Sequence, residues 1–126
     1  MEFYRELTTA VDAGHLQRCL TIGSLARYCG SIDRVLVDDS EQGEIYCLWG
    51  QFRVNRERIR NGLRFTLPDC PNALVWTLTV HSQTRVEGQL RIHCTINQPD
   101  HDPDFIESIE QFVSDWQRGL ARLEAF

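Results

Sequence analysis

The sequence predicts an α+β fold: a curved antiparallel β-sheet of about six to seven strands packed on a long C-terminal helix, with two short helices near the N-terminus. Three observations predict it. Phe105, Ile109, Phe112, Trp116, Leu120 and Leu123 recur at helical spacing, so residues 102–123 form one amphipathic helix. Residues 32–97 consist of short runs in which apolar and polar residues alternate, divided by Gly, Pro, Asn and Asp, which is the β pattern. Residues 13–28 carry a helical pattern interrupted by Gly23-Ser24.

In chain order, residues 2–11 satisfy two templates. Phe3, Arg5, Leu7, Thr9 and Val11 alternate with Tyr4, Glu6, Thr8 and Ala10 as a strand does, while Phe3, Leu7 and Ala10 also share a helix face. The threonine pair and Val11 favour the strand. Leu16, Cys19 and Leu20 then form one short helical face, and Ile22, Leu25 and Tyr28 a second, with Gly30 as a stop. Residues 32–37 read as a strand and 38–43 as its turn. Residues 44–49 and 51–59 read as one long strand, with Gly50 a bulge or sharp coil within it. Arg60-Asn61-Gly62 is a hairpin signal, since Asn-Gly supplies the positive φ such turns demand. Residues 63–67 return as a strand, and 68–72, with two prolines, form a rigid loop. Residues 73–80 and 86–97 are strands around a turn at 81–84. Asp102 caps the closing helix and Pro103 takes its first position. Asp104 and Glu107 place negative charge at the positive end of the helix dipole, and Glu110, Ser114, Asp115, Gln117, Arg118 and Arg122 are assigned to the solvent side.

The closing helix needs a large apolar surface opposite it. Leu63, Phe65 and Leu67, then Leu74, Trp76, Leu78 and Val80, then Leu90, Ile92, Cys94 and Ile96 alternate with polar residues and supply that inner face. Tyr46, Leu48, Phe52 and Val54 join them if Gly50 leaves the register unbroken. Ile45, Cys47 and Trp49, with Val75, then fall on the outer face, where a Trp and an Ile in one strand demand cover. Either a second subunit provides it, making Ile45, Cys47 and Trp49 a homodimer interface, or Gly50 shifts the register.

A chain of 126 residues is expected to form one domain, residues 1–126. Such a domain buries ~65% of its unfolded surface and needs no metal or disulfide staple. No apolar run approaches the ~18 residues of a membrane span, and the start of the chain lacks the basic and apolar segments of a signal peptide, so the expected compartment is the cytoplasm. A net charge of −5 weighs against nucleic acid as a partner. All thirteen basic residues are arginine, which excludes Schiff-base chemistry on a lysine. The five cysteines include no Cys-x-x-Cys pair; reduced structural thiols are expected, with no metal and no cofactor.

Three groupings hold reactive residue types. His93 and Cys94 adjoin in sequence but point to opposite faces of a strand, so the imidazole does not reach that thiol; His93 meets Cys47 only if the strand register brings both to the outer face. Asp100-His101-Asp102-Pro103-Asp104 is rich in ligand atoms, yet helix capping accounts for Asp102 and Asp104, and the stretch lacks the glycine of a calcium loop. Arg53, Arg56, Arg58, Arg60 and Arg64 surround the Asn61-Gly62 hairpin, either as an anion patch or as a charged edge that resists strand pairing. Arg56 continues the alternation of Phe52 and Val54 inward, to a cavity mouth where it can meet an anion.

The element order of strand, two short helices, a run of antiparallel strands and one long amphipathic C-terminal helix resembles the helix-grip superfamily (SRPBCC), which includes START domains, birch-pollen-allergen-like proteins and polyketide cyclases. The resemblance spans nearly the whole chain and rests on element order; no motif carries a catalytic residue over. It implies a cavity between the sheet and the final helix that takes apolar or aromatic ligands. Tyr46, Phe52, Arg56, Phe65, Trp76, Phe112 and Trp116 are the expected lining. The leading functional expectation is therefore a small cytoplasmic protein that binds an apolar molecule. Whether it also converts that ligand is open. The alternative is a protein-interaction module, a homodimeric adaptor or chaperone-like partner without enzymatic activity.

Overall fold

The computed structural model describes residues 1–82 and 88–123. Strand β1 (Glu2–Thr9) is followed by helix α1 (Ala13–Cys19), a 3-10 turn (Ile22–Ser24) and helix α2 (Leu25–Tyr28). Six strands come next: β2 (Ile32–Asp39), β3 (Gln42–Cys47), β4 (Gly50–Ile59), β5 (Gly62–Thr66), β6 (Val75–Ser82) and β7 (Gly88–Thr95). Helix α3 (Pro103–Leu120) closes the fold. The strands form one antiparallel sheet in the order β1-β7-β6-β5-β4-β3-β2, open at β1 and β2. Helix α3 packs against β1 and β7, α1 against β5, and α2 against β2 and α3. The α+β architecture expected from the residue pattern is the one observed. Of residues 2–11, Glu2–Thr9 resolve to the strand; His81 and Ser82, expected in the turn at 81–84, instead continue β6 because both pair with β7, and the rest of that turn and the expected strand start at Val86 lie outside the described residues.

Local signals account for the helix starts. Asp12 accepts from the His15 backbone N–H at 2.8 Å and opens α1, while Asp102 accepts from Asp104 N–H, also at 2.8 Å, ahead of Pro103 at the start of α3. At the β4–β5 turn Asn61 adopts a φ of 71°, as expected of Asn-Gly. Gly62 has a separate reason: a Cβ there would sit 1.8 Å from the Leu78 carbonyl oxygen, so only glycine lets β5 approach β6.

The long strand expected over 44–59 is instead a hairpin. Cys47 pairs with Gly50, Leu48 and Trp49 form the turn, and Gly50 closes it with a φ of 111°. That reversal changes which residues face inward. Ile45 pairs with Phe52, so the inward residues are odd-numbered in β3 and even-numbered in β4. Ile45 and Cys47 therefore lie in the core, and Tyr46, expected inside, is 43% exposed on the convex face with Leu48 exposed beside it. Trp49 turns back over α3. Its indole Nε1 donates to Ser108 Oγ at 2.8 Å, and its ring centroid lies 5.0 Å from that of Phe112. Ile45, Cys47 and Trp49 thus form no exposed outer patch.

The apolar stripe of α3 packs as expected, with Ile109, Phe112, Trp116 and Leu120 buried. Asp115, expected in solvent, is buried with them. The cause is the approach of α2: a Cβ on Gly119 would lie 1.6 Å from the Tyr28 carbonyl oxygen, so the helices meet backbone to backbone and enclose the neighbouring Asp115. No helix among the described residues is long and apolar enough to cross a membrane.

Candidate functional site

The space between sheet and α3 holds an aromatic cluster. Phe65 and Trp76 are cross-strand partners on β5 and β6, with ring centroids 5.2 Å apart. Phe112 meets Trp76 edge-on at 5.0 Å, and Trp116 lies 6.2 Å from Trp76 and 6.4 Å from Phe65. All four are 0–1% exposed. Of the expected lining, Phe65, Trp76, Phe112 and Trp116 are brought together, and Phe52 is half-buried at their margin. Tyr46 is not among them; it lies on the other side of the sheet under the Arg34 guanidinium. The four rings fill the space they were expected to line.

The cluster contains an anomaly. The indole Nε1 atoms of Trp76 and Trp116 are both buried, and neither has a hydrogen-bond partner among the described residues. A buried donor left unpaired costs ~1–3 kcal/mol, and native cores retain few.

Arg56 shares the inward side of β4 but lies apart from the aromatic cluster. Its Nε donates to the Leu20 carbonyl at 2.8 Å, its Nη2 to the Gln17 carbonyl, and its Nη1 to Glu41 Oε1 at 3.0 Å. The guanidinium is buried and ties the end of α1 to β4 and the β2–β3 turn. It forms part of the wall of a polar cleft of about 460 Å³, with Gln17, Arg18, Thr21, Asp38, Ser40, Glu41 and Arg58. No local pattern announced this cleft, because its walls come from three distant stretches of chain. The five arginines of the hairpin region do not act together. Arg53 points outward and forms a two-point pair with Asp69 at 2.8 Å, holding that carboxyl below the usual carboxylate range, whereas Arg56 and Arg58 lie on the inward side of β4.

A second, smaller hollow of about 200 Å³ borders Gly30, Asp115, Arg118, Gly119 and Arg122. Asp115 there accepts from Ser31 Oγ at 2.5 Å, from Gln111 Nε2 at 2.9 Å and from the Arg118 guanidinium. These donors occupy both carboxylate oxygens.

The cysteine and histidine groupings do not converge. His93 lies on the convex face, stacked on Tyr4 at 4.4 Å and 3.0 Å from Glu2 Oε1. Cys47 and Cys94 face the core, so the strand register keeps His93 from both. Burial pushes the Cys29 and Cys94 thiols up to about 12 and raises Cys47 as well, so at neutral pH all three carry their protons and none is an activated nucleophile. Among the described residues no group of three or more His, Cys, Asp or Glu side chains is placed to hold a metal ion.

No family model and no curated protein sequence matches the chain. Solved structures do. The protein XoxI from Bacillus cereus superposes with a TM-score of 0.70 at 11% identity, over 94% of this chain and 92% of that one. A START superfamily protein from Mycobacterium smegmatis gives 0.65 at 10% identity, over 97% and 99%. The di-domain ARO/CYC protein BexL of the BE-7585A biosynthetic pathway gives 0.62 at 11% identity, over 96% of this chain and 46% of that one. The class is therefore defined by architecture: this chain has the helix-grip fold of START-like and polyketide-cyclase-like proteins. At 10–11% identity the likeness extends to the fold alone.

Proposed function

We propose that the protein binds a small, flat, apolar molecule carrying a hydrogen-bond acceptor, between the concave face of the sheet and α3. The observation that carries this reading is the pair of unpartnered indole N–H groups of Trp76 and Trp116. A ligand carbonyl or ether oxygen beside them would remove the cost of two unmade bonds, and Phe65 and Phe112 would contribute aromatic faces to its ring. The fold shared with a START superfamily protein and an ARO/CYC protein supports the same location. Because the four rings fill this space in the free protein, binding requires them to part. The Leu48-Trp49 turn, held to α3 by the Trp49–Ser108 hydrogen bond, is the cover that would move.

The test compares aromatic ketones and quinones with hydrocarbons of the same shape, read by thermal shift and by quenching of tryptophan fluorescence. At a hundred times its dissociation constant a ligand stabilises the folded state by about 2.7 kcal/mol. The ketones are expected to bind better than the hydrocarbons. Trp76→Phe and Trp116→Phe, which keep the ring and remove the donor, are expected to erase that difference. A panel in which nothing shifts melting, or a preference that survives both substitutions, removes this reading.

One observation favours a second reading, a protein-interaction module. Leu36 and Val37 on the edge strand β2, Tyr46 on its neighbour β3 and Leu48 in the following turn are each 40–43% exposed. If that edge pairs with a second copy, sedimentation at 100-fold dilution steps will show a monomer–dimer equilibrium that Tyr46→Glu abolishes. A monomer at every concentration sinks the homodimer.

A further inference from the structure

We propose that the polar cleft between α1, the β2–β3 turn and β4 binds a small oxyanion carried on a hydroxylated molecule, at a site separate from the aromatic interior. Three arginines, Arg18, Arg56 and Arg58, face it together with two carboxylates, Asp38 and Glu41. The lining is therefore net positive on a chain whose formal charge is −5, so the attraction for an anion is local to this place.

Two exposed arginines alone would be an ordinary solvated rim. The third distinguishes this cleft. Arg56 is 5% exposed, and its guanidinium is fixed in orientation by the Gln17 and Leu20 carbonyls and by Glu41. Burying a guanidinium costs solvation, and here that cost supports a positive charge that stays in position whether or not a ligand is present. Arg58 is two residues further along β4 on the same side, and Arg18 comes from the last turn of α1. Arg58 offers a planar fork suited to two oxygens of one phosphate or carboxylate, while the Arg18 guanidinium rests back over Gly14 and must swing round to reach a ligand. Glu41 is committed to Arg56, whereas among the described residues Asp38 is engaged by one backbone N–H, that of Ser40, at 3.3 Å through Oδ1. Asp38 is thus the acceptor for a hydroxyl on the ligand. A volume of about 460 Å³ suits a sugar phosphate or a hydroxycarboxylate and exceeds what a bare ion needs.

The experiment is isothermal titration of the intact chain with inorganic phosphate, a hexose phosphate and citrate, against Arg18→Ala/Arg58→Ala, Asp38→Asn and Arg64→Ala. Arg64 lies on the opposite face of the sheet and removes one positive charge without touching the cleft. The hexose phosphate or citrate is expected to bind more tightly than inorganic phosphate, and which of the two binds better identifies the oxyanion as phosphate ester or carboxylate. The double arginine variant is expected to lose at least about tenfold in affinity, equivalent to ~1.4 kcal/mol. Asp38→Asn, which also removes a negative charge from the lining, is expected to tighten inorganic phosphate and to shrink the advantage of the hydroxylated ligands over it, and Arg64→Ala to change neither. Circular dichroism of each variant confirms folding. Three results would overturn the proposal: no oxyanion binding tighter than ~1 mM, binding that the folded double variant retains, or an equal loss in Arg64→Ala, which would reduce the effect to net charge. None of these outcomes depends on whether the aromatic interior takes a ligand.

Discussion

Ser31 donates its hydroxyl to Asp115 across 2.5 Å, joining the turn before β2 to the middle of α3 over 84 positions of sequence. With Gln111 and Arg118 on the other carboxylate oxygen, Asp115 is a buried acceptor for three side chains. Replacing it with Ala strands the buried Ser31 hydroxyl and is expected to cost ~2–3 kcal/mol, the value of a hydrogen-bonded charge. Asp115→Asn, which keeps one acceptor, is expected to cost less. Urea denaturation checks this through a lowered midpoint at constant m. A midpoint unchanged in Asp115→Ala would mean that the carboxylate contributes nothing to the docking of α3.

Gly119 tests the docking of α2 on α3. In an unconstrained helix Gly→Ala gains up to ~1 kcal/mol. Here the new methyl would meet the Tyr28 carbonyl oxygen, 1.6 Å from the ideal Cβ position, and backbone cannot rotate away as a side-chain tip can. Separating the helices is expected to outweigh the propensity gain and leave Gly119→Ala less stable by ~1–3 kcal/mol. Gly30→Ala is the control, because its nearest neighbour, Asp115 Oδ2, is an ordinary 3.6 Å away. A Gly119→Ala protein that melts higher than the parent would show that α2 can yield.

The buried thiols make stability depend on alkaline pH. Cys29 and Cys94 are pushed from the ordinary 9.0 up to about 12 by burial. Below pH 9 folded and unfolded chains both keep these protons and the thiols exert no effect. Above it the unfolded chain releases protons that the folded chain retains, so unfolding is favoured as pH rises toward 12. Each thiol is expected to remove ~1.4 kcal/mol of stability per pH unit in that window. Denaturation midpoints at pH 8 to 10.5, compared between the parent and Cys29→Ala/Cys94→Ala, measure the effect. Parallel slopes in the two proteins would contradict it.

The closing helix was legible because its signals are local. A cap, a proline and six apolar residues at helical spacing lie within one short stretch, and the helix that forms buries most of that stripe. The inner faces of β5, β6 and β7 were legible for the same reason: strict alternation survives wherever the chain runs straight. The β3–β4 region was not, because one ambiguous glycine decides it. Gly50 fits a bulge or a turn equally well in sequence, and the turn exchanges Tyr46 for Ile45 and Cys47 in the core. The alternation that turns Arg56 inward is local, but its surroundings are not, since Leu20 and Glu41, which receive its hydrogen bonds, are set by tertiary approach. The burial of Asp115 has no local signal for a similar reason: it depends on Gly119, four residues along, touching α2 at Tyr28, in a distant part of the chain.

The pairing of β1 with β7 bears on how the chain reaches this state. Glu2 lies opposite Thr95, so the first strand made is among the last that can be seated. The neighbouring pairs from β2 to β7 join strands adjacent in sequence and can form as hairpins while the chain lengthens. During synthesis Phe3 and Leu7 must therefore wait, without their cross-strand partners Cys94 and Leu90, until β7, the last strand made, emerges. The seam between β1 and β7 is where nascent chains are most open to capture by a chaperone or by each other.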